Sequence, residues 1–408
     1  MNPAIIDPHA SSTLAGLYLH IPFCKQRCTY CDFYFVTTRT SHVAFENALL
    51  TELEHYAPQF ETETFDTVYL GGGTPSLLPE SSLARIVGAV LDHYHIADDA
   101  EFTLEANPED ASLDYLRGVK SLGFNRLSIG VQSFFEEDLQ FMNRSHSSGD
   151  AAAALEHAEP SGFDNISVDL IFGLPDQPAE HWAAGLQRIV EAGVPHISTY
   201  GLTVEERTVL HKQVERGLVQ PLSDEEMSDR FLFTMEYLNE HGYEQYEISN
   251  FARPGYRSRH NQQYWNHVNY LGMGPSAHSF RRAGRSGSSA TRWSNVRNLR
   301  QYETLLGSHQ LPLEGRQRLT LEDLASEHVM LRLRTSDGLD LRTLESEYGV
   351  DLLSEKIDEL AWLESEGFID PIRNSLVRLS LRGRQLCDSV TRKLLPVPST
   401  HARPSSHR

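Results

Sequence analysis

Three cysteines lie close together near the start of the chain. Cys24, Cys28 and Cys31 are separated by three and then two residues, and Cys387 is the remaining cysteine of the sequence. Their loop follows an apolar segment, residues 17–23, that is typical of a β-strand. Because thiolates are soft ligands, three of them on one loop can converge on a soft metal centre.

The number of cysteines in this loop helps to distinguish between a zinc site, a disulfide and an iron-sulfur cluster. A structural zinc site normally has four nitrogen or sulfur ligands, often as two separated pairs, and this loop supplies three. A disulfide would leave the third thiol unpaired, and disulfides are rare in the reducing compartment expected for a chain without a signal peptide. An iron-sulfur cluster held by three cysteines keeps one iron without a protein ligand, where a substrate or cofactor can bind. Zinc and an inert cysteine cluster remain the alternatives.

The cysteine loop resembles the signature of the radical S-adenosylmethionine (SAM) superfamily. That signature has the same spacing and an aromatic residue before the third cysteine, here Tyr30. The resemblance implies a 4Fe-4S cluster whose open iron is chelated by SAM, and cleavage of SAM to a 5′-deoxyadenosyl radical. The segment Tyr-x-His-Ile-Pro-Phe, which begins at Tyr18, narrows the resemblance to the oxygen-independent coproporphyrinogen III oxidase-like family. That family includes the coproporphyrinogen III dehydrogenase and the HemW-type heme chaperones.

Strand and helix patterns alternate after this loop. Strands are predicted at residues 17–21, 67–70, 101–105, 126–131, 166–171 and 197–202, and helices at residues 43–56, 83–91, 111–122, 150–159 and 180–192. This alternation predicts an α/β fold with a parallel sheet and helices on its outer face. Six such units fit the partial (β/α)6 barrel that the radical SAM resemblance implies. Periodicity alone leaves a doubly wound sheet open as the alternative.

The composition is that of an ordinary globular protein, with 408 residues, of which 40% are hydrophobic and 23% charged. No segment approaches about 18 uninterrupted apolar residues, and residues 1–16 lack a basic region followed by an apolar one. We therefore expect neither a transmembrane segment nor a signal peptide. A cytoplasmic location is the expectation, with peripheral membrane contact left open. The net charge of −20 argues against a nucleic-acid partner.

The predicted strands end in glycines and polar residues, at the edge where parallel α/β folds place their sites. The strand at residues 67–70 runs into a glycine triplet, which forms a tight turn or lets the backbone approach a ligand. Glu105 ends the next strand, as a ligand-binding carboxylate or as a solvated strand end. The resemblance implies SAM contacts by Tyr18, Tyr30, Gly72, Gly73, Thr74, Glu105, Gln132, Arg144 and Asp169. Arg144 and Asp169 could equally form a structural ion pair.

A second motif begins at His260. His260 and Asn261 are followed by Tyr264 and Trp265, and a glycine-rich segment ends at His278. His260 could be a histidine packed in a polar core, a group for proton transfer, or an axial heme ligand with the two aromatic rings against the macrocycle. The pattern His-Asn-x-x-Tyr-Trp resembles the motif that marks HemW-type heme chaperones. It implies that these four residues form a heme motif.

The last part of the chain changes to helices and a small hairpin. After a linker at residues 311–315, helices are predicted at residues 323–333, 341–348, 352–366 and 384–393. Their order resembles a winged-helix-like module, and their acidic faces argue against DNA binding. The predicted domains are a flexible N-terminus (1–15), a radical SAM partial-barrel domain (16–307) with a heme-motif extension (about 204–307), a mainly helical winged-helix-like C-terminal domain (316–395) and a disordered tail (396–408).

Two departures from the coproporphyrinogen III dehydrogenase favour the chaperone branch. That enzyme has a fourth cysteine two residues after the third, where this chain has Phe33, and a much longer segment before Tyr18. The resemblance therefore predicts a protein that binds heme, a 4Fe-4S cluster and SAM. It would transfer heme to apo-hemoproteins, with a heme donor as a further partner. The alternative is radical decarboxylation of coproporphyrinogen III in porphyrin biosynthesis, so the sequence leaves open whether the chain is an enzyme.

Overall fold

Strands and helices alternate through the first half of the chain in the computed structural model, which describes residues 13–37, 42–282 and 289–396. The elements are β1 (Thr13–Ile21), α1 (His42–Tyr56), β2 (Glu63–Gly72), α2 (Glu80–His93), β3 (Ile96–Ala106), α3 (Leu113–Ser121), β4 (Arg126–Gln132), α4 (Glu136–Phe141), α5 (Ser148–Ala158), β5 (Asn165–Phe172), α6 (Ala179–Glu191) and β6 (His196–Gly201). The six strands pair in parallel in chain order, because each helical crossover returns the chain in the same direction.

Shorter elements extend this sheet on both sides. They are α7 (Val209–Glu215), α8 (Asp224–Glu240), β7 (Glu244–Gln245), β8 (Asn250–Ala252), α9 (Arg259–Trp265), β9 (Asn269–Met273), β10 (His278–Arg282), β11 (Ala290–Asn295), α10 (Leu299–Gly307) and β12 (Leu313–Leu319). The order across the sheet is β12-β11-β10-β9-β1-β2-β3-β4-β5-β6-β8-β7. Since β1 and β6 pair with β9 and β8 rather than with each other, the barrel is partial, which confirms the predicted fold class.

Two predicted boundaries differ from the structure. The linker prediction is wrong for residues 313–315 of the predicted range 311–315. These residues begin β12, an edge strand that pairs with β11. Residues 13–15, predicted to belong to a flexible N-terminus, form the start of β1 and pair with β2. The predicted disorder of the tail falls mostly on residues 397–408, which lie outside the described residues. The other domain boundaries stay predictions.

The two faces of the six parallel strands have opposite character. Side chains that point outward, toward the helices, are apolar and fully or almost fully buried: Leu17, Leu19, Ile21, Val68, Leu70, Leu104, Leu127, Ile129, Val168 and Leu170. Inward side chains are polar and contact one another across the barrel: Tyr18, His20, Tyr69, Glu105, Ser128, Asp169, Ser167, His196 and Ser198. Alternation along a strand produces this separation. The barrel interior is therefore built to hold polar groups.

A buried carboxylate fastens α1 to the extension of the sheet. Glu52 is fully buried, and it accepts hydrogen bonds from the Gly274 amide at 2.9 Å, the Asn295 side-chain amide at 2.7 Å and the Tyr302 hydroxyl at 2.6 Å. Burial raises the pKa of Glu52 to about 7, and the three donors act against that rise. One side chain of α1 thus contacts three residues that are 222 to 250 positions further along the chain.

We expect Glu52→Ala to destabilise the protein on the order of 3 kcal/mol, because three buried donors lose their acceptor at once. The midpoint of thermal unfolding would fall, as measured by circular dichroism. The matched control is Glu54→Ala, since Glu54 is exposed on the same helix and should change stability little. Equal midpoints for the two variants would contradict a supporting role for Glu52.

The C-terminal module has its own core. It consists of α11 (Leu321–Leu333), β13 (Leu339–Asp340), α12 (Leu341–Tyr348), α13 (Leu352–Glu355), α14 (Ile357–Ser365), β14 (Leu376–Val377), α15 (Leu381–Gln385) and α16 (Cys387–Leu394). The predicted helices at residues 352–366 and 384–393 are each divided into two. Cys387 is buried in this core, which also includes Phe280 and Ala290 of the barrel sheet.

Ion pairs hold the C-terminal module against the sheet extension. Arg292 of β11 donates to both carboxylate oxygens of Glu327 of α11, at 2.7 and 2.8 Å, and His267 lies 3.0 Å from one of them. Burial alone would raise the pKa of Glu327, but the hydrogen bonds from His267 and Arg292 outweigh it and lower the pKa to about 2. The Arg334 guanidinium also lies over the Trp265 ring, 5.5 Å from its centroid. The module therefore packs beside α9.

No helix among the described residues combines the length and the apolar character that a membrane crossing requires.

Candidate functional site

The cysteine loop leaves β1 and is held at both of its sides. The Cys24 amide donates to the Val36 carbonyl at 3.0 Å, and the Val36 amide donates to the Pro22 carbonyl at 2.7 Å, which closes the loop at its base. The Thr29 amide donates to the Met142 carbonyl at 3.0 Å. The loop is thereby fixed to the segment that follows α4, and its cysteines face the C-terminal edge of the parallel strands.

A cavity of about 420 Å³ lies at this edge of the sheet. Its lining includes all three cysteines and every residue predicted to contact SAM except Tyr18: Cys24, Cys28, Cys31, Tyr30, Gly72, Gly73, Thr74, Glu105, Gln132, Arg144 and Asp169. Its volume is in the range of sites for cofactors and other small molecules. The structure thus brings these residues together in one cavity.

The cysteine sulfurs have partners that suit thiolate ligands. Burial raises the pKa of Cys24 to about 11 and that of Cys31 to about 12, so these thiols stay protonated unless a cationic centre compensates the charge. The Thr74 hydroxyl lies 3.7 Å from the Cys24 sulfur, and an Arg144 nitrogen lies 3.5 Å from the Cys28 sulfur. Such donors stabilise negative charge on metal-bound sulfur. The residues present fit an iron-sulfur cluster to which all three cysteines are ligands.

The three cysteines line one shared cavity. Among the residues that the structure describes, no group of three histidine, cysteine, aspartate or glutamate side chains is arranged to hold a single metal ion.

Glu105 is held in a fixed orientation at the cavity. Its Oε1 accepts a hydrogen bond from the Tyr69 hydroxyl at 2.7 Å, and its Oε2 accepts one from the Gly72 amide at 3.0 Å. Burial raises the pKa of Glu105 to about 7, with the negative charge of Asp169 adding to the rise. A carboxylate with so little solvation gains from a ligand that brings a positive charge, such as an amino group or a sulfonium.

Arg144 and Asp169 each have other partners, so the ion pair considered from the sequence is not formed. Arg144 donates to the Asn107 side chain at 2.8 Å and to the Gly130 carbonyl at 2.9 Å, besides its contact with Cys28. The Ser128 hydroxyl donates to Asp169 at 3.3 Å. Burial raises the pKa of Asp169. The two side chains line the same cavity as separate groups.

The glycine segment comes too close to the cysteine loop for any side chain. A Cβ at Gly73 would lie 2.7 Å from the Phe23 carbonyl oxygen and 2.8 Å from the Ile21 carbonyl oxygen. The Gly73 amide also donates to the Ile21 carbonyl at 2.8 Å. Gly72 has a φ of 107°, a conformation that favours glycine. A side chain at Gly73 would therefore shift the base of the cysteine loop as well as any ligand beside it.

The helix α9 carries the second motif and lies at the other end of the barrel. His260 is almost fully buried there, and its backbone amide donates to Glu101 at 3.1 Å. Its ring nitrogens both have partners, with Nδ1 2.8 Å from the Thr67 hydroxyl and Nε2 2.9 Å from the Tyr264 hydroxyl. Burial lowers the pKa of His260 to about 3, so the imidazole is neutral. Nε2 could ligate iron only after the Tyr264 hydroxyl turned away.

The other motif residues face different neighbours. Tyr264 points inward with His260, whereas Trp265 lies under Arg334 of the C-terminal module. Asn261 is partly exposed, and its amide donates to the hydroxyl of Ser258, which caps the helix. Tyr18, predicted as a SAM contact, belongs to this inner group, because its ring stacks on His260 with a centroid distance of 6.4 Å.

The cavity lining also contains residues that were not predicted as site residues from the sequence, among them Asn107, Ser128 and Tyr200. Asn107 lies two residues after Glu105, and its side-chain oxygen accepts a hydrogen bond from Arg144. Ser128 and Tyr200 lie on the inward face of β4 and β6 and line the cavity. The alternation along each predicted strand was a usable signal for both, since inward positions recur every second residue.

A sheet of parallel strands with a three-cysteine loop after its first strand defines the class as a radical SAM protein. In agreement, residues 18–189 match the radical SAM superfamily, and residues 319–386 match the HemN C-terminal domain. A solved structure of coproporphyrinogen III oxidase (HemN) from Escherichia coli, described as a radical SAM enzyme, aligns with a TM-score of 0.80 and 27% identity. The alignment covers 94% of this chain and 90% of that one.

Similarity to curated proteins narrows the class further. The heme chaperone HemW of Mycobacterium tuberculosis is 37% identical over 93% of this chain and 94% of its own length. The heme chaperone HemW of Bacillus subtilis is 33% identical over 92% of this chain and 98% of its own length. The chain belongs to the HemW family.

Proposed function

We propose that this protein is a heme chaperone that binds a 4Fe-4S cluster, SAM and heme and transfers heme to apo-hemoproteins. The observation that carries the proposal is the complete His-Asn-x-x-Tyr-Trp motif on α9 in a chain that also keeps the three-cysteine cavity. The similarity to proteins named heme chaperones over nearly the whole chain supports it. Recipient hemoproteins and a heme donor are its proposed partners, and the cytoplasm its proposed location.

In the proposed site, Cys24, Cys28 and Cys31 hold the cluster through their sulfurs. SAM, when bound at the open iron, would supply a source of a 5′-deoxyadenosyl radical. Glu105, with its carboxylate held by Tyr69 and Gly72, is placed to accept the positively charged part of SAM. Gly73 and Thr74 would let the cofactor approach the backbone at the same edge. Gln132, Arg144, Asp169 and Tyr30, the other proposed SAM contacts, also line the cavity.

Heme is the proposed cargo. We propose that the α9 motif contributes to its site, with the buried His260 as the candidate iron ligand and the partly exposed Asn261 and Trp265 as further contacts. Ligation by His260 requires the Tyr264 hydroxyl to release Nε2, as its present hydrogen bond occupies that nitrogen. Heme uptake in this proposal therefore includes a rearrangement of Tyr264.

The second candidate function is oxidative decarboxylation of coproporphyrinogen III. It is favoured by the TM-score of 0.80 to the oxidase and by the cavity that joins the cysteines to Glu105 and Asp169. The chaperone proposal is preferred because the chain is more similar to proteins named for heme transfer, and because Phe33 occupies the position of the fourth cysteine.

One experiment separates the two functions. Anaerobically reconstituted protein is divided into two samples, one titrated with hemin and one incubated with coproporphyrinogen III, SAM and a reductant. We expect about one heme per chain by absorbance and no loss of coproporphyrinogen III by chromatography. Consumption of coproporphyrinogen III without heme uptake would replace the chaperone function with the enzymatic one.

A further inference from the structure

We infer that His260 positions the Glu105 carboxylate through Tyr69, so that the motif helix α9 supports the SAM cavity from the opposite end of the barrel. The inference rests on the proposed function only in taking Glu105 as a SAM contact. His260 and Tyr69 are positioning residues in this view, because neither lines the cavity.

The first contact joins His260 to Tyr69. Their rings stack with a centroid distance of 5.0 Å and an interplanar angle of 25°. The Tyr18 ring also lies beside the Tyr69 ring, with a centroid distance of 6.1 Å. Tyr69 is half-buried, and its ring packs between those of His260 and Tyr18, so it cannot turn without displacing one of them.

The second contact joins Tyr69 to Glu105. The Tyr69 hydroxyl donates to Oε1 at 2.7 Å, while the Gly72 amide donates to Oε2 at 3.0 Å. These two donors, on one strand, fix both oxygens of the carboxylate. A hydroxyl that moved with its ring would leave one oxygen without a donor and free the carboxylate to rotate.

The space between the Tyr69 ring and the Glu105 carboxylate is closed by the backbone of Gly71. A Cβ at Gly71 would lie 2.7 Å from the Tyr69 ring and 2.8 Å from the Glu105 Oε1. Only a residue without a side chain fits between the ring and the carboxylate at this point. The close packing means that a displacement of Tyr69 is passed to Glu105 rather than absorbed by a gap.

His260 is itself anchored independently of Tyr69. Thr67, two residues before Tyr69 on the same face of β2, contacts Nδ1, and Tyr264 contacts Nε2. The Glu101 carboxylate holds the His260 backbone amide at the start of α9. The imidazole is therefore a fixed surface against which the Tyr69 ring is placed. Together, α9, β2 and β3 form a continuous set of contacts from the motif to the cavity.

The test measures SAM affinity by calorimetry on anaerobically reconstituted protein with its cluster intact. Tyr69→Phe removes the hydroxyl donor and keeps the ring, and we expect it to weaken SAM binding about tenfold, the usual order for a hydrogen bond to a charged group. His260→Ala should weaken it several-fold because the ring stack is lost. Tyr94→Phe is the matched control, since the Tyr94 hydroxyl is also buried but donates to the Leu53 carbonyl outside the barrel.

Two further variants distinguish positioning from a general loss of structure. His260→Phe restores a ring against Tyr69 without either nitrogen, and we expect SAM affinity to recover toward that of the wild type. The double variant Tyr69→Phe/His260→Ala should bind SAM about as weakly as Tyr69→Phe alone, because both changes act on the same hydrogen bond. Fully additive losses, or no recovery in His260→Phe, would overturn the inference.

Failure of the inference and failure of the proposed function give different results. If the wild type binds SAM and both Tyr69→Phe and His260→Ala bind it with unchanged affinity, His260 does not position Glu105, and the proposed cofactor remains. If the wild type with a complete cluster binds no SAM, the SAM part of the proposed function fails, and this inference fails with it.

Discussion

Cys28→Ser is expected to abolish the 4Fe-4S cluster of the anaerobically reconstituted protein. Serine supplies an alcohol in place of a thiolate, and the remaining two cysteines cannot hold a cluster that needs three. The Arg144 nitrogen near the Cys28 sulfur would also lose its partner. The brown absorbance and the electron paramagnetic resonance signal after reduction should both disappear, and iron content should fall to near zero.

The control for this prediction is Cys387→Ser. Cys387 is buried in the core of the C-terminal module, away from the cavity, and its loss should leave the cluster spectrum and the iron content unchanged. Cys24→Ser and Cys31→Ser should behave as Cys28→Ser does. A full cluster in any of those three variants would refute the assignment of the ligands.

His260→Ala is expected to abolish or blue-shift the Soret band of heme-loaded protein while the cluster absorbance persists. The two sites share no ligand, so loss of the imidazole should change the heme absorbance and leave the cluster absorbance unchanged. Optical titration with hemin, before and after cluster reconstitution, measures this effect. Heme binding with an unchanged spectrum and affinity would show that His260 is not the ligand, and the exposed His278 of β10 would be examined next.

Tyr264→Phe is the informative partner variant. It removes the hydroxyl that occupies Nε2 and keeps the aromatic ring, so it should leave heme affinity equal to or greater than that of the wild type. His93→Ala, at an exposed position of α2, controls for nonspecific binding of hemin to surface histidines. Weaker heme binding in Tyr264→Phe would show that the hydroxyl itself contacts heme.

Much of the barrel follows from the sequence because its signals are local. The six parallel strands were predicted within a few residues, since each is a short apolar run followed by a helical pattern. Parallel strands bring their C-terminal ends to one edge whatever their exact register, which accounts for the glycine triplet and Glu105, whereas Arg144 and Asp169 were predicted from the family resemblance alone. Strand lengths were underestimated for β2 and β3, because polar residues near their starts interrupt the apolar pattern: Glu63, Thr64 and Asp66 in β2, and Asp98 and Asp99 in β3.

The extension of the sheet and the position of α9 could not be predicted in this way. β9 pairs with β1 although about 250 residues separate them in the chain. The start of β12, residues 313–315, was predicted to be part of a linker because Glu314 and Gly315 give it no apolar period. The His260 ring contacts the hydroxyls of Thr67 and Tyr264, and Thr67 comes close to it only in the folded chain. Sequence alone therefore identified the motif without its place in the barrel.

The outermost strand β12 bears on whether copies of this protein associate through their sheet edges at high concentration. Its residues from Leu313 to Arg318 are all exposed, and one side of its backbone has no partner strand within the described residues. Such an edge can recruit the same edge of another molecule into a continuous intermolecular sheet. Glu314, Arg316 and Arg318 place charges along it, and charged edge residues are a common means by which natural sheets resist aggregation.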